Sequence, residues 1–147
     1  MKKTDYVIFL LVVILLILLI QLVAGFIKKD IHPHDRIGNL DINLESNKLT
    51  IYGEYKLGSF VGGSMFPSLF KNSTSIDIVP SSSDKIYIGD VITFENPNGK
   101  VISHRVINIK EDKQGIYFIT KGDNNYIKDK YKVRFEDIES ITVGALW

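Results

Sequence analysis

The stretch 6–27 contains no charged residue and one strongly polar side chain, Gln21, and this constrains the chain more than any other feature. As a helix its 22 residues rise about 33 Å, enough to cross a hydrocarbon core of roughly 30 Å. The expectation is a transmembrane helix and a lipid-bilayer partner. A cleavable leader fits less well, since its apolar region is usually about 7–15 residues and Val23, Ala24 and Gly25 make a poor small-residue cleavage site. Lys2 and Lys3 on one side and Lys28 and Lys29 on the other nearly cancel, so charge alone does not orient the span.

Beyond it about 120 residues remain, a common size for one domain. The organisation expected is a cytoplasmic tip and anchor over 1–27, a juxtamembrane linker over 28–47 and a β-domain over 48–147. The linker is polar, and Pro33 between His32 and His34 breaks a helical pattern. With no further ligand nearby, those two histidines read as solvated rather than as a metal pair.

Downstream, short runs rich in Ile, Val, Tyr, Phe and Thr over 48–55, 75–79, 90–95, 101–109, 116–121 and 138–143 predict strands. Asn96-Pro97-Asn98-Gly99 and Glu111-Asp112-Lys113-Gln114-Gly115 have hairpin-turn composition, so the fold class is mostly β and largely antiparallel. Eighteen basic residues against 17 acidic ones give no reason for a nucleic-acid partner, and the absence of Cys excludes disulfides and a thiol nucleophile.

Chemistry concentrates in four segments. In Val61-Gly62-Gly63-Ser64-Met65-Phe66-Pro67 two glycines precede a serine, a context that frees the backbone around a hydroxyl nucleophile and aims N–H groups at a substrate carbonyl. Gly-Gly-Ser is also ordinary loop sequence. Three further segments follow: Gly89-Asp90-Val91-Ile92, Ser103-His104-Arg105-Val106, and Thr120-Lys121-Gly122-Asp123-Asn124-Asn125. His104 has the side chain whose ordinary pKa, about 6.5, suits a general base at neutral pH. Alternation along a strand turns Arg105 to the face opposite His104, and Lys121 is kept only as an alternative base.

In order and spacing these segments resemble the motif boxes of type I signal peptidases, over 60–143. In the bacterial branch a Lys stands at the position of His104; a His there resembles the archaeal and endoplasmic-reticulum branch. The resemblance implies a small antiparallel β-domain of signal-peptidase type on one N-terminal transmembrane helix, with the domain outside the cytoplasm. It implies a serine endopeptidase that removes signal peptides from secretory preproteins after small residues, without metal or other cofactor, in contact with secretion-machinery partners. Ser64 is then the nucleophile and oxyanion N–H donor and His104 the base. Asp129 is the triad carboxylate and Asp123 its support, although each also has a bland reading, as a solvated charge and a turn cap. Phe60, Val61, Gly62 and Met65 would contact substrate, which would pair with the edge 57–62. Met65, Phe66 and Phe70 are open between lipid contact and core packing.

Two departures stand out. Family members often carry Ser where this chain has Gly62, and losing one oxyanion donor typically costs about 10²–10³ in turnover. The 36 residues between Ile27 and Ser64 are more than expected and predict an added strand or hairpin. Gly62 keeps open a second function, a weak or inactive membrane-tethered paralogue that binds preproteins or acts as an accessory subunit. A cell-surface structural protein on a stalk is a third.

Overall fold

The computed structural model describes residues 3–26, 33, 41–52 and 54–147. The chain divides into two compact units, Met1–Asp30 and Ile31–Trp147. The first holds helix α1, Lys3–Phe26, with Asp5 in its first turn, where a carboxylate complements the helix dipole. Its described side chains are mostly exposed on every side, among them Phe9 at 63%, Leu15 at 68% and Ile20 at 63%. Among the described residues no helix is long and apolar enough to cross a membrane.

The second unit begins with a hairpin of β1 (Asp41–Glu45) and β2 (Lys48–Tyr52), antiparallel from Asp41 opposite Tyr52 to Glu45 opposite Lys48. It lies in the long interval before Ser64, and its first strand falls inside the stretch 28–47 read as linker. His32 and His34 lie outside the described residues.

The remaining strands are β3 (Lys56–Ser59), β4 (Thr74–Ile78), β5 (Val91–Glu95), β6 (Val101–Asp112), β7 (Gly115–Lys121) and β8 (Ile138–Leu146). They form one six-stranded sheet in the order β3-β4-β8-β5-β6-β7, antiparallel throughout. Its core is Ile86, Ile92, Phe94, Val106, Phe118, Val133 and Ile141, all nearly inaccessible. Val91, next to Ile92, joins a different cluster with Met65 and Leu69. Successive strand residues face opposite ways, so the sheet is covered on both faces, and the second cover is the segment that carries Ser64.

Two details differ from the sequence expectation. Strand β6 runs to Asp112, because the turn after it is tight: the Gln114 N–H donates to Asp112 Oδ1 at 2.9 Å and Gly115 takes a φ of +99°. Strand β3, which carries Gly58, overlaps the edge expected over 57–62 but spans Lys56–Ser59. Glycine is needed there because a Cβ would stand 2.5 Å from Ser75 Oγ. With β3 and β7 as the sheet's edges, β7 is bridged at Phe118 by Val133, whereas β3 has β4 as its only strand partner among the described residues.

Candidate active site

The chain leaves β3 at Phe60, whose N–H donates to the Ser73 carbonyl and whose carbonyl accepts from the Asn72 N–H. These bonds close residues 61–72 into a loop. Met65, 3% exposed, anchors it against Leu69 and Val91, and the Leu69 N–H bonds back to the Met65 carbonyl. The next peptide bond but one, Phe66–Pro67, is cis. Burying Met65 leaves its neighbour Ser64 at the rim, half-buried.

The glycines before Ser64 are not there for backbone strain. Neither Gly62 nor Gly63 has a left-handed φ, and a Cβ on either meets nothing within 4 Å. The bend before Ser64 does not depend on glycine at either position. They leave open space beside the hydroxyl.

His104 stands on β6 opposite Ile92. Its Nε2 is 3.2 Å from Ser64 Oγ and its Nδ1 is 2.7 Å from Asp129 Oδ2. A carboxylate only accepts, so Nδ1 carries the proton and Nε2 is left to accept from the Ser64 hydroxyl. The Asp129 side chain, 11% exposed, is held in place twice: Thr120 Oγ1 donates to its Oδ2 at 2.6 Å, and the Asp129 N–H donates to the Thr120 carbonyl at 2.9 Å. Thr120 is fully buried.

Arg105 turns the other way. Its Nε and Nη2 donate to the two oxygens of Asp123 at 2.8 and 2.6 Å, and its Nη1 to the Gly89 carbonyl at 2.7 Å. That carbonyl is presented by Gly89 at a φ of +104°, and Asp90 closes the turn by accepting the Tyr87 N–H at 2.8 Å. This accounts for Gly-Asp before β5: the turn supports the guanidinium. Burial pushes the Asp123 carboxyl up, but the Arg105 fork, the Ser68 hydroxyl and the charges of Arg105 and Lys121 outweigh it and leave it below the ordinary carboxylate value.

The loop from Gly122 docks directly under the serine. The Asn124 N–H donates to the Ser64 carbonyl at 2.8 Å and its Nδ2 to the Gly63 carbonyl at 3.2 Å. Here glycine is required by close approach, since a Cβ on Gly122 would lie 2.7 Å from the Ser64 carbonyl oxygen. Lys121 Nζ donates to the Asn125 carbonyl at 3.1 Å.

Of the remaining candidates, Phe60 is half-buried, Val61 is 77% exposed and Gly62 is open. Met65 packs inside, whereas Phe66 and Phe70 are 49% and 42% exposed. Those two rings meet edge to face at 5.5 Å, and Phe70 lies 6.0 Å from Trp147. Sequence reasoning assigned no role to Thr120, Gly122 or Asn124, although all three lie in the box that carries Asp123. Nothing in residue type distinguishes a threonine that holds a carboxylate from one that fills a strand. Among the described residues no group of three or more His, Cys, Asp or Glu side chains is placed to hold a metal.

Ser64, His104 and Asp129 thus have the layout of a serine, imidazole and carboxylate triad. Over 92 residues the chain is 34% identical to Signal peptidase I W of Bacillus subtilis (strain 168), a match covering 61% of this chain and 47% of that protein. The chain therefore spans about half the length of this relative. No family model matches it.

Proposed function

We propose that the chain is a membrane-anchored serine endopeptidase that removes signal peptides from secretory preproteins after small residues, with the His-using chemistry of the archaeal and endoplasmic-reticulum branch of type I signal peptidases. The observation that carries this is the line from Ser64 Oγ through the His104 ring to Asp129. Similarity to a protein named a signal peptidase supports the substrate class.

In this reading the Ser64 Oγ attacks the scissile carbonyl while His104 Nε2 takes its proton, and Asp129 steadies the imidazolium through Nδ1–H. The carbonyl oxygen turns to the Ser64 N–H. The imidazolium gives its proton to the leaving amine, and water then hydrolyses the acyl-enzyme by the same route in reverse. An extended substrate adds to the open edge of β3 and runs past Phe60, Val61 and Gly62 to Ser64. The uncharged run 6–27, about 33 Å long as a helix, serves as the bilayer anchor in this reading, with the β-domain outside the cytoplasm. Alkaline extraction and protease protection of sealed vesicles test that topology; release of the full chain at high pH would overturn it.

The test of the chemistry compares wild type, Ser64→Ala and His104→Ala in detergent on a synthetic preprotein with Ala or Phe before the bond. Cleavage after Ala alone, lost in both folded variants, is the expected result. Undiminished cleavage by Ser64→Ala would remove the serine mechanism. A second reading, a preprotein-binding or accessory paralogue, is favoured by Gly62; a folded wild type inert on several preproteins would put it first.

A further inference from the structure

Tyr126 is fully exposed and Ile127 is 73% exposed, in a loop otherwise tied down at both ends. At the near end the Asn124 N–H is bonded to Ser64 and the Asn125 N–H to the Gly122 carbonyl; at the far end Asp129 is bonded to Thr120 and His104. Two adjacent apolar side chains are therefore held out into solvent on a fixed frame, with no packing function in the free protein. Large apolar side chains presented side by side at a reactive centre mark a contact surface.

We infer that Tyr126 and Ile127 bind the part of the substrate that lies beyond the scissile bond, preferring apolar side chains there. This rests on the proposed peptidase reading and deepens it. The proton that His104 takes must be delivered to the leaving nitrogen, so that nitrogen lies on the imidazole's side of Ser64. The imidazole is held by Asp129, which belongs to the same loop as Tyr126 and Ile127. In the proposed binding mode, residues before the bond approach along β3 and Phe60, which precede Ser64 in the chain. A chain that leaves Ser64 past His104 runs toward the loop that Asn124 ties to Ser64 and Asp129 ties to His104, the loop that carries Tyr126 and Ile127. Both ends of the loop are held by hydrogen bonds, which limits the ordering entropy that the contact costs.

The experiment uses the full chain in detergent and two peptides identical up to the scissile bond. One continues with an apolar segment containing Phe and Leu; the other ends in a small fluorogenic amide. The readout is the ratio of their kcat/KM values for wild type, Tyr126→Ser/Ile127→Ser, and the conservative Tyr126→Phe/Ile127→Leu. Wild type should favour the extended peptide, the serine variant should lose about tenfold of that ratio through KM, and the conservative variant should keep it. An unchanged ratio in the serine variant overturns the inference while leaving the peptidase reading intact. Failure of wild type to cleave either peptide removes the peptidase reading and the inference with it. A ratio lost only when the enzyme sits in anionic vesicles, and kept in detergent, assigns the tip to lipid and overturns the peptide contact.

Discussion

His104 and Arg105 are neighbours on β6, and each takes an aspartate from the same loop, yet the two halves of that loop are built for different work. On one face a 2.7 Å contact joins Asp129 to an imidazole that can gain and lose a proton. On the other, a two-pronged fork joins Asp123 to a guanidinium that stays charged at any accessible pH. The first pair is suited to moving a proton and the second to fixing the loop that carries the first. Strand alternation separates them: one residue's step along β6 changes the face.

The sharpest way to break this contrast is to replace each carboxylate by its amide. Asp129→Asn leaves the shape but offers the ring an N–H donor, which lets Nε2 carry the proton and lose its ability to accept from Ser64. A fall of roughly 10³–10⁴-fold in kcat with KM nearly unchanged is expected in steady-state cleavage of a preprotein peptide. Asp123→Asn should act instead on stability, by about 3 kcal/mol in chemical denaturation, because it strands a guanidinium that is 11% exposed. Its rate per folded molecule should fall far less than that of Asp129→Asn. Since the Asp123 carboxyl is held below its ordinary value in the fold, its contribution is complete above about pH 4 and is lost as pH falls through the depressed value. The difference in stability between wild type and Asp123→Asn should therefore shrink on acidification below that point.

How far the sequence made this arrangement visible differs between its parts. Strand β2 and strands β4 to β8 followed from short runs rich in Ile, Val, Tyr, Phe and Thr set between turn residues, because such side chains pack well on a pleated sheet. Strand β3 was expected only as the substrate-pairing edge over 57–62, and the reason for its Gly58 was not legible, since that glycine answers to crowding by Ser75 across the sheet, a contact between distant positions. Ser64 and His104 stood out as residue types able to do chemistry. The division between Asp123 and Asp129 depends on the path of the loop after Gly122, which is set by hydrogen bonds to Ser64, Gly63 and Thr120. Residues 62–63 show the converse: the glycines were visible in the sequence, but the open space beside them was not.

A smaller perturbation tests whether the Asp129 face needs its buried support. Thr120→Val keeps the branched shape and removes the 2.6 Å hydrogen bond to Oδ2. A hydrogen bond to a charged acceptor is worth about 1.5–3 kcal/mol, so kcat should fall by roughly 10- to 10²-fold with the fold retained. A kcat equal to wild type would mean that the imidazole and the Asp129 backbone alone orient the carboxylate.

The smallest effect concerns the opposite flank of the serine. A Cβ at Gly62 meets nothing within 4 Å and the backbone there is not left-handed, so Gly62→Ser should fold as wild type does. Its hydroxyl would stand beside Ser64 and could supply a second donor to the developing oxyanion. Where such donors are built into a site, removing one costs about 10²–10³ in rate; one added without surrounding support recovers less, and a rise of roughly fivefold in single-turnover acylation is expected. The gain should vanish in Gly62→Ala, which fills the same space without a donor. If alanine and serine behave alike, the space beside Ser64 matters to substrate only as room, and the oxyanion is served by the Ser64 N–H without help from position 62.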